Sequence, residues 1–243
     1  MESHVASSED FLVPNLHFKP GKSGSYVQDS RMVRFPCESA NRFSPSSQRL
    51  LRFKLTAHNW IDPQSVRLSF DLREIGGANA VTLLSPKAIS IFNRVRLIAG
   101  STIIEDLDNL ARTINLLDRL KPPARSMNEV IMNGTAASDA TLQVSSGTLA
   151  PIAASDARTM VCSLDVLGLF SQHKWLPTGL MGGGLVVELE LNSDATYATA
   201  GSTDWVVENP VIFANEKILD SQLQEKMVQH VLSGKSMPIS IKS

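Results

Sequence analysis

Between Arg49 and Arg73 apolar and polar residues alternate with a period of two, twice over. Leu51, Phe53 and Leu55 interleave with Arg52, Lys54 and Thr56; past Asn59-Trp60-Ile61-Asp62-Pro63 the pattern resumes as Val66, Leu68, Phe70 and Leu72 against Arg67, Ser69, Asp71 and Arg73. Neighbouring side chains of a strand point to opposite faces, so each run predicts a strand with one buried and one wet face. Pro63 cannot donate to a ladder, and the residues around it predict a corner between the two strands.

The same period marks further strands. Tyr26 to Phe35 reads as one, stopped by Pro36, and Asn41 to Gln48 as a loop of turn formers. Ala88 to Ala99 supplies Ile89, Ile91, Val95 and Leu97 to another, with an irregularity expected at Phe92-Asn93 and a turn at Gly100-Ser101. Thr159 to Val166, Leu185 to Leu191 and Trp205 to Phe213 follow, the second with the cleanest alternation in the chain. A different period governs Asp106 to Leu120, where Leu107, Leu110, Ala111, Ile114 and Leu117 fall on one helical face. Asp106 and Asp108 suit that helix's start, Arg119 and Lys121 its end, and Pro122-Pro123 stop it. Lys217 to Leu232 predicts a second helix with the stripe Leu219, Leu223, Met227 and Val231, closed by Gly234. Alternation then begins again at Met237, Ile239 and Ile241.

Three stretches carry little periodic signal. Residues 1–10 are polar and predict a flexible N-terminal arm. Phe11 to Phe18 is a short apolar patch closed by Lys19-Pro20-Gly21, expected to be an edge strand or an arm lying on a neighbouring subunit. Residues 126–158 turn small and polar and predict a surface insertion. Eight or nine strands, two helices in connections and no βαβ rhythm give an all-β sandwich of two antiparallel sheets.

Composition narrows the function classes. A chain of 243 residues buries roughly 70% of its unfolded surface and needs no staples. With 23 Lys and Arg against 24 Asp and Glu the net charge is −1, so nucleic-acid binding is not indicated. Cys37 and Cys162 are too few for a disulfide framework and read as small buried hydrophobes. No apolar run approaches the ~20 residues of a membrane span, and MESHVASSED is unlike a signal peptide. The expected product is intracellular and soluble.

Candidate chemistry is sparse. His4, His17, His58, His173 and His230 sit in different elements without metal-ligand spacing, and only His58 and His173 stand near strand ends where ligands could converge. Gly182-Gly183-Gly184 precedes a strand instead of a Lys-Ser/Thr and a helix, so it predicts a turn and not a phosphate cradle. Asp62, Asp165 and Asp194 have no Ser/His partners in a recognised arrangement. Trp60 and Trp175 lie in corners beside prolines and read as buried plugs, with a sugar-stacking platform as the functional alternative. The expectation is no catalytic, cofactor-binding or metal residues and no cofactor.

The order of short motifs adds a resemblance. Asn41-Arg42-Phe43-Ser44-Pro45, Phe53-Lys54-Leu55, Trp60-Ile61-Asp62-Pro63 and Leu68-Ser69-Phe70-Asp71-Leu72 resemble the opening jelly roll of hexon-like, double jelly-roll major capsid proteins, especially those of polinton-like and adintovirus-type DNA viruses. Arg94 to Ser101 leading into Ile104-Glu105-Asp106, Trp175-Leu176-Pro177 with Gly179-Leu180, and Glu208-Asn209-Pro210 are similar to later parts of the same unit. The resemblance implies an antiparallel eight-stranded jelly roll over residues 11–234 with one or two short connecting helices. Residues 235–243 would then be a linker or the first strand of a second jelly roll.

It also implies a structural capsid protein, or the N-terminal half of one, without catalysis. Its partners would be further copies, as a homotrimer, or a second jelly-roll half, together with other capsid proteins. Its place would be the virion, after synthesis in host cytoplasm or nucleus. The alternative is a lectin-like carbohydrate-binding sandwich that stacks sugars on Trp60, Trp175 or Trp205.

Overall fold

Strand pairing follows one rule: the first strand pairs with the last, the second with the last but one, and so inward. The computed structural model describes residues 27–120, 151–194 and 199–241, apart from 78, 84, 86 and 240. Its strands are β1 (Val27–Pro36), β2 (Arg42–Phe43), β3 (Leu50–Leu55), β4 (Trp60–Glu74), β5 (Val81–Leu83), β6 (Phe92–Ala99), β7 (Thr102–Leu107), β8 (Ala157–Ser163), β9 (Leu185–Leu191), β10 (Thr199–Gly201) and β11 (Trp205–Leu219). Leaving aside the short β2, β5 and β10, the pairs β1 with β11, β3 with β9, β4 with β8 and β6 with β7 are all antiparallel. That is a long hairpin folded back on itself. Its layers join through β11 with β4 and β9 with β6, giving sheets of order β1-β11-β4-β8 and β3-β9-β6-β7. Two interlocked four-stranded sheets of this kind are a jelly roll.

The alternation puts the core between the sheets. Leu51, Phe53 and Leu55 of β3, Val66, Leu68, Phe70 and Leu72 of β4, and Leu185, Val187, Leu189 and Leu191 of β9 are all buried. Phe70 meets Phe92 edge to face across the sandwich, with ring centroids 5.8 Å apart. The corner before β4 carries the chain from one sheet to the other. Pro63 lies inside β4, in the stretch between Asp62 and Arg67 where the register with β11 shifts, so its missing N–H interrupts no paired position. The expected irregularity at Phe92-Asn93 is likewise a register shift between Phe92 and Arg94 against β9.

Two helices begin later than the sequence pattern implies. Residues 102–107 form β7, and α1 spans Leu110–Arg119. Asp106 belongs to the hairpin with β6, where Arg94 Nε donates to its carboxylate at 2.7 Å. The buried stripe of α1 shrinks to Leu110 and Ile114, and Leu117 is exposed. A single turn, α2, covers Gly168–Ser171, and its first two amide N–H groups, of Gly168 and Leu169, each donate at 2.7 Å to the buried Glu105 carboxylate. At the C-terminal end β11 continues to Leu219 and α3 spans Ser221–Leu232, capped by Asp220, whose side chain accepts from the Gln222 N–H. Lys217 therefore pairs with Trp60 in the sheet.

Both cysteines are free thiols. Burial pushes the Cys162 thiol up to about 12, whereas Cys37 is half-buried at the end of β1. A thiolate is the reactive form, so Ellman titration of the native protein at neutral pH is expected to count one thiol promptly and the second only after denaturation. Equal rates for both would contradict the packing of Cys162 against β4.

Candidate functional site

The two Trp-Pro motifs, more than a hundred residues apart in sequence, meet at one corner. Ile61 and Leu176 exchange backbone hydrogen bonds of 2.9 and 2.8 Å, and the Thr178 hydroxyl donates to the Asn59 carbonyl at 3.2 Å. From the other side comes Glu216 of β11, which is buried. One of its oxygens accepts from the backbone and side-chain N–H groups of Asn59 at 3.1 and 3.0 Å; the other accepts from Arg31 of β1 at 2.7 Å. The corner is thus tied to β11, through Glu216 to β1 beyond it, and to the segment before β9.

Helix α3 leans on this corner without burying any residue. Trp60 Nε1 donates to Gln224 at 2.7 Å, and Gln28 donates to the capping Asp220 at 3.0 Å. Between helix, corner and the segment after the helix lies an open groove of about 1140 Å³. Its walls are Trp60, Trp175 and Pro177 from the corner, Leu219 and Val27 from the strand ends, Leu223 and Met227 from α3, and Met237 to Ile239 beyond it. Lys174 and Lys226 are its charged lining, with His230 beside them and no acidic side chain among the lining residues. Residues 235–239 run along the groove outside any helix or strand, held by Lys174 Nζ on the Pro238 carbonyl at 3.0 Å.

A second buried carboxylate secures the far end of β4. Glu74 accepts from the backbone N–H of Ser155, Gly76 and Gly77 and from the Ser202 hydroxyl. The Ser155 amide, acting against burial and joined by Ser202, Gly77 and Gly76, holds its carboxyl below the usual range. For Glu216 burial pulls upward, but Arg31 and Asn59 together outweigh it, so that carboxyl too is held low. A group whose pKa falls on folding contributes stability above its unfolded value, near 4.3, and loses it as pH drops through the folded value. The melting temperature is expected to be flat from neutral pH to about 5 and to fall steadily below about 4.5. Glu216→Gln should flatten part of that fall; acid melts of the two proteins with the same slope would contradict the role of this carboxylate.

The remaining candidates stand apart. His58 and His173 are exposed, as are Asp165 and Asp194, and among the described residues no three His, Cys, Asp or Glu side chains are grouped to hold a metal. His58→Ala and His173→Ala are expected to leave the stability, read from thermal melts, within about 0.5 kcal/mol of wild type. Gly183 and Gly184 take positive φ at the turn into β9, as a loop reading requires. Trp205 and Trp60 are buried, at 1% and 8% exposure, and the half-buried Trp175 has the Lys217 ammonium 5.9 Å from its ring centroid. Trp205 offers no face to a sugar, whereas Trp60 and Trp175 reach the wall of the groove beside α3. His4, His17, residues 1–18 and most of the 126–158 insertion lie outside the described residues. The groove itself is not visible in the sequence as a site, although its signals are there: two Trp-Pro corners and a helix whose apolar stripe exceeds what one strand end can cover.

No protein-family model and no curated protein matches the sequence. Solved structures do match the fold. The crystal structure of PBCV-1 VP54, fitted into a cryo-EM reconstruction of the virophage Sputnik, is similar over 87% of this chain at 14% identity, with a TM-score of 0.59. A quasi-atomic model of the PBCV-1 virus capsid is similar over 86% at 13% identity and TM-score 0.58. The Faustovirus major capsid protein is similar over 92% at 8% identity and TM-score 0.56. The fold is the jelly roll of these viral capsid proteins. The chain spans about half their length, covering 47%, 46% and 59% of the respective chains.

Proposed function

We propose that this chain is a structural capsid protein, or one jelly-roll half of one, that works by associating with copies of itself or with a second jelly roll and performs no catalysis. The observation that carries the reading is the pairing of first strand with last through all eight long strands, in a sandwich that superposes on viral capsid proteins over nearly the whole chain. The surface chemistry suits a shell component. The outer face of the β3-β9-β6-β7 sheet carries interleaved charges of both signs, Arg52 and Arg96 flanking Glu188 at 3.8 and 3.1 Å. Such a face is soluble alone and selective in contact.

Where two jelly rolls occupy one chain, three chains present six similar units around an axis. A single roll reaches that arrangement by sixfold self-association or by pairing with a separate partner roll, and a rigid sandwich with long connections is suited to either. The site of action on this reading is the virion. Light scattering on the purified chain tests it: the expected mass is a trimer or higher multiple of 26.5 kDa, or a defined complex once a second jelly roll is supplied. A monomer at every concentration that also pairs with no second roll would overturn it.

A further inference from the structure

The groove beside α3 is larger than the roughly 300–1,000 Å³ of ordinary small-molecule pockets and is open along its length. We propose that its occupant is the apolar run Phe11-Leu12-Val13-Pro14-Asn15-Leu16-His17-Phe18 of the same chain. Four observations converge on that segment, and none depends on the capsid reading.

The first is position. Val27, the residue at which the described chain begins, is itself part of the groove wall. The second is reach. Eight residues separate Phe18 from Val27, and at ~3.3–3.6 Å each they span up to about 30 Å, enough to leave the wall, turn at Pro20-Gly21 and come back along it. The third is the match of apolar surface. Five of the eight residues, two of them Phe, are large hydrophobes, and the groove offers Trp60, Leu223 and Met227, with α3 contributing a stripe it does not bury. The fourth is charge. The groove's charged lining is basic, Lys174 and Lys226, and the residues directly before Phe11 are Glu9 and Asp10, with Glu2 further back. An acidic flank set against a basic rim fixes the direction in which the run enters. A tether this short also gives the chain's own segment a millimolar effective concentration that a second copy meets only at high protein concentration.

Disulfide trapping tests this in the full chain. Phe11→Cys, Leu12→Cys, Leu16→Cys and Phe18→Cys are each combined with Met227→Cys and, as a control, with Lys54→Cys on the exposed face of the other sheet. A disulfide requires Cβ atoms about 3.5–4.5 Å apart, and Met227 is half-buried and Lys54 exposed, so neither of these two substitutions opens the core. The expected result is at least one pairing with Met227→Cys that oxidises within the chain, running at monomer mass on a denaturing non-reducing gel, and none with Lys54→Cys. Cross-links only between chains would overturn the proposal by assigning the groove to a second copy, and no cross-link at any of the four positions would overturn it outright. As an independent readout, Phe11→Ser with Leu16→Ser and Phe18→Ser should raise acrylamide quenching of tryptophan fluorescence, since two of the three tryptophans line the groove. The gel reads the same whether the protein is a monomer or a trimer, so failure here is separate from failure of the proposed function.

Discussion

Phe70→Ala is expected to destabilise the protein by about 4 kcal/mol. Phe70 sits midway along β4 with 1% of its surface exposed, and its ring packs at an interplanar angle of 86° on Phe92 at the start of β6. Those two strands belong to different sheets, so the contact is one of the pins that hold the layers together. Truncation removes the transfer energy of a buried ring, opens a cavity between walls that strand pairing prevents from collapsing, and forfeits an aromatic pair worth ~0.5–1.5 kcal/mol on its own. For a chain of this size the melting temperature should fall by roughly 10 °C. Leu189→Ala, on the facing strand β9 and fully buried, should cost about 3 kcal/mol, and Lys54→Ala on the wet face of β3 almost nothing. Thermal melts that do not separate the first two from the third would contradict the assignment of faces.

The second large effect is expected at a glycine. A Cβ on Gly179 would stand 2.3 Å from the carbonyl oxygen of His58 and 2.8 Å from its carbon. Both atoms are backbone, in the corner that Glu216, Ile61 and Thr178 hold in place, so neither moves aside as a flexible side chain would. Gly179→Ala must push the segment 176–180 off the corner or bend the corner itself, at an expected cost of about 3 kcal/mol, the upper part of the overpacking range. Because Trp60, Trp175 and Pro177 form the adjoining groove wall, the substitution should also shift tryptophan emission. Gly182→Ala makes the natural control, since a Cβ there meets nothing within 4 Å. Equal melting temperatures for the two variants would show that the corner yields more easily than its hydrogen bonds imply.

The strands were legible in the sequence wherever one face is buried and the other wet, because a period of two leaves little choice. β3 and β4 are of that kind, and their apolar faces are the core; β9 alternates in sequence too, although Val186 and Glu188 on its other face are also buried. The turn at Gly182 to Gly184 was marked, but the corner was placed a few residues late: Trp60 to Pro63 belong to β4, and the chain changes sheets just before them. What the pattern could not convey is long-range pairing. Glu105 and Asp106 look like residues at the start of a helix until α2 and Arg94, which they serve, are in view. Lys217 has helical character as part of the string to Leu232, but pairing with Trp60 draws it into β11. The groove was hidden for the same reason. Its residues come from Val27, Trp60, the segment 174–177 and the segment 219–239, and nothing local says that Trp60 and Trp175 share a corner. The jelly-roll topology itself entered through the order of motifs; alternation alone gave a sandwich.

The most direct test of a shell-forming role is electron microscopy of the purified chain at high concentration, alone and mixed with a second jelly-roll polypeptide. The account predicts ring-like capsomers with threefold or sixfold symmetry that pack into sheets or closed shells. Dispersed single sandwiches without symmetry under both conditions would contradict it.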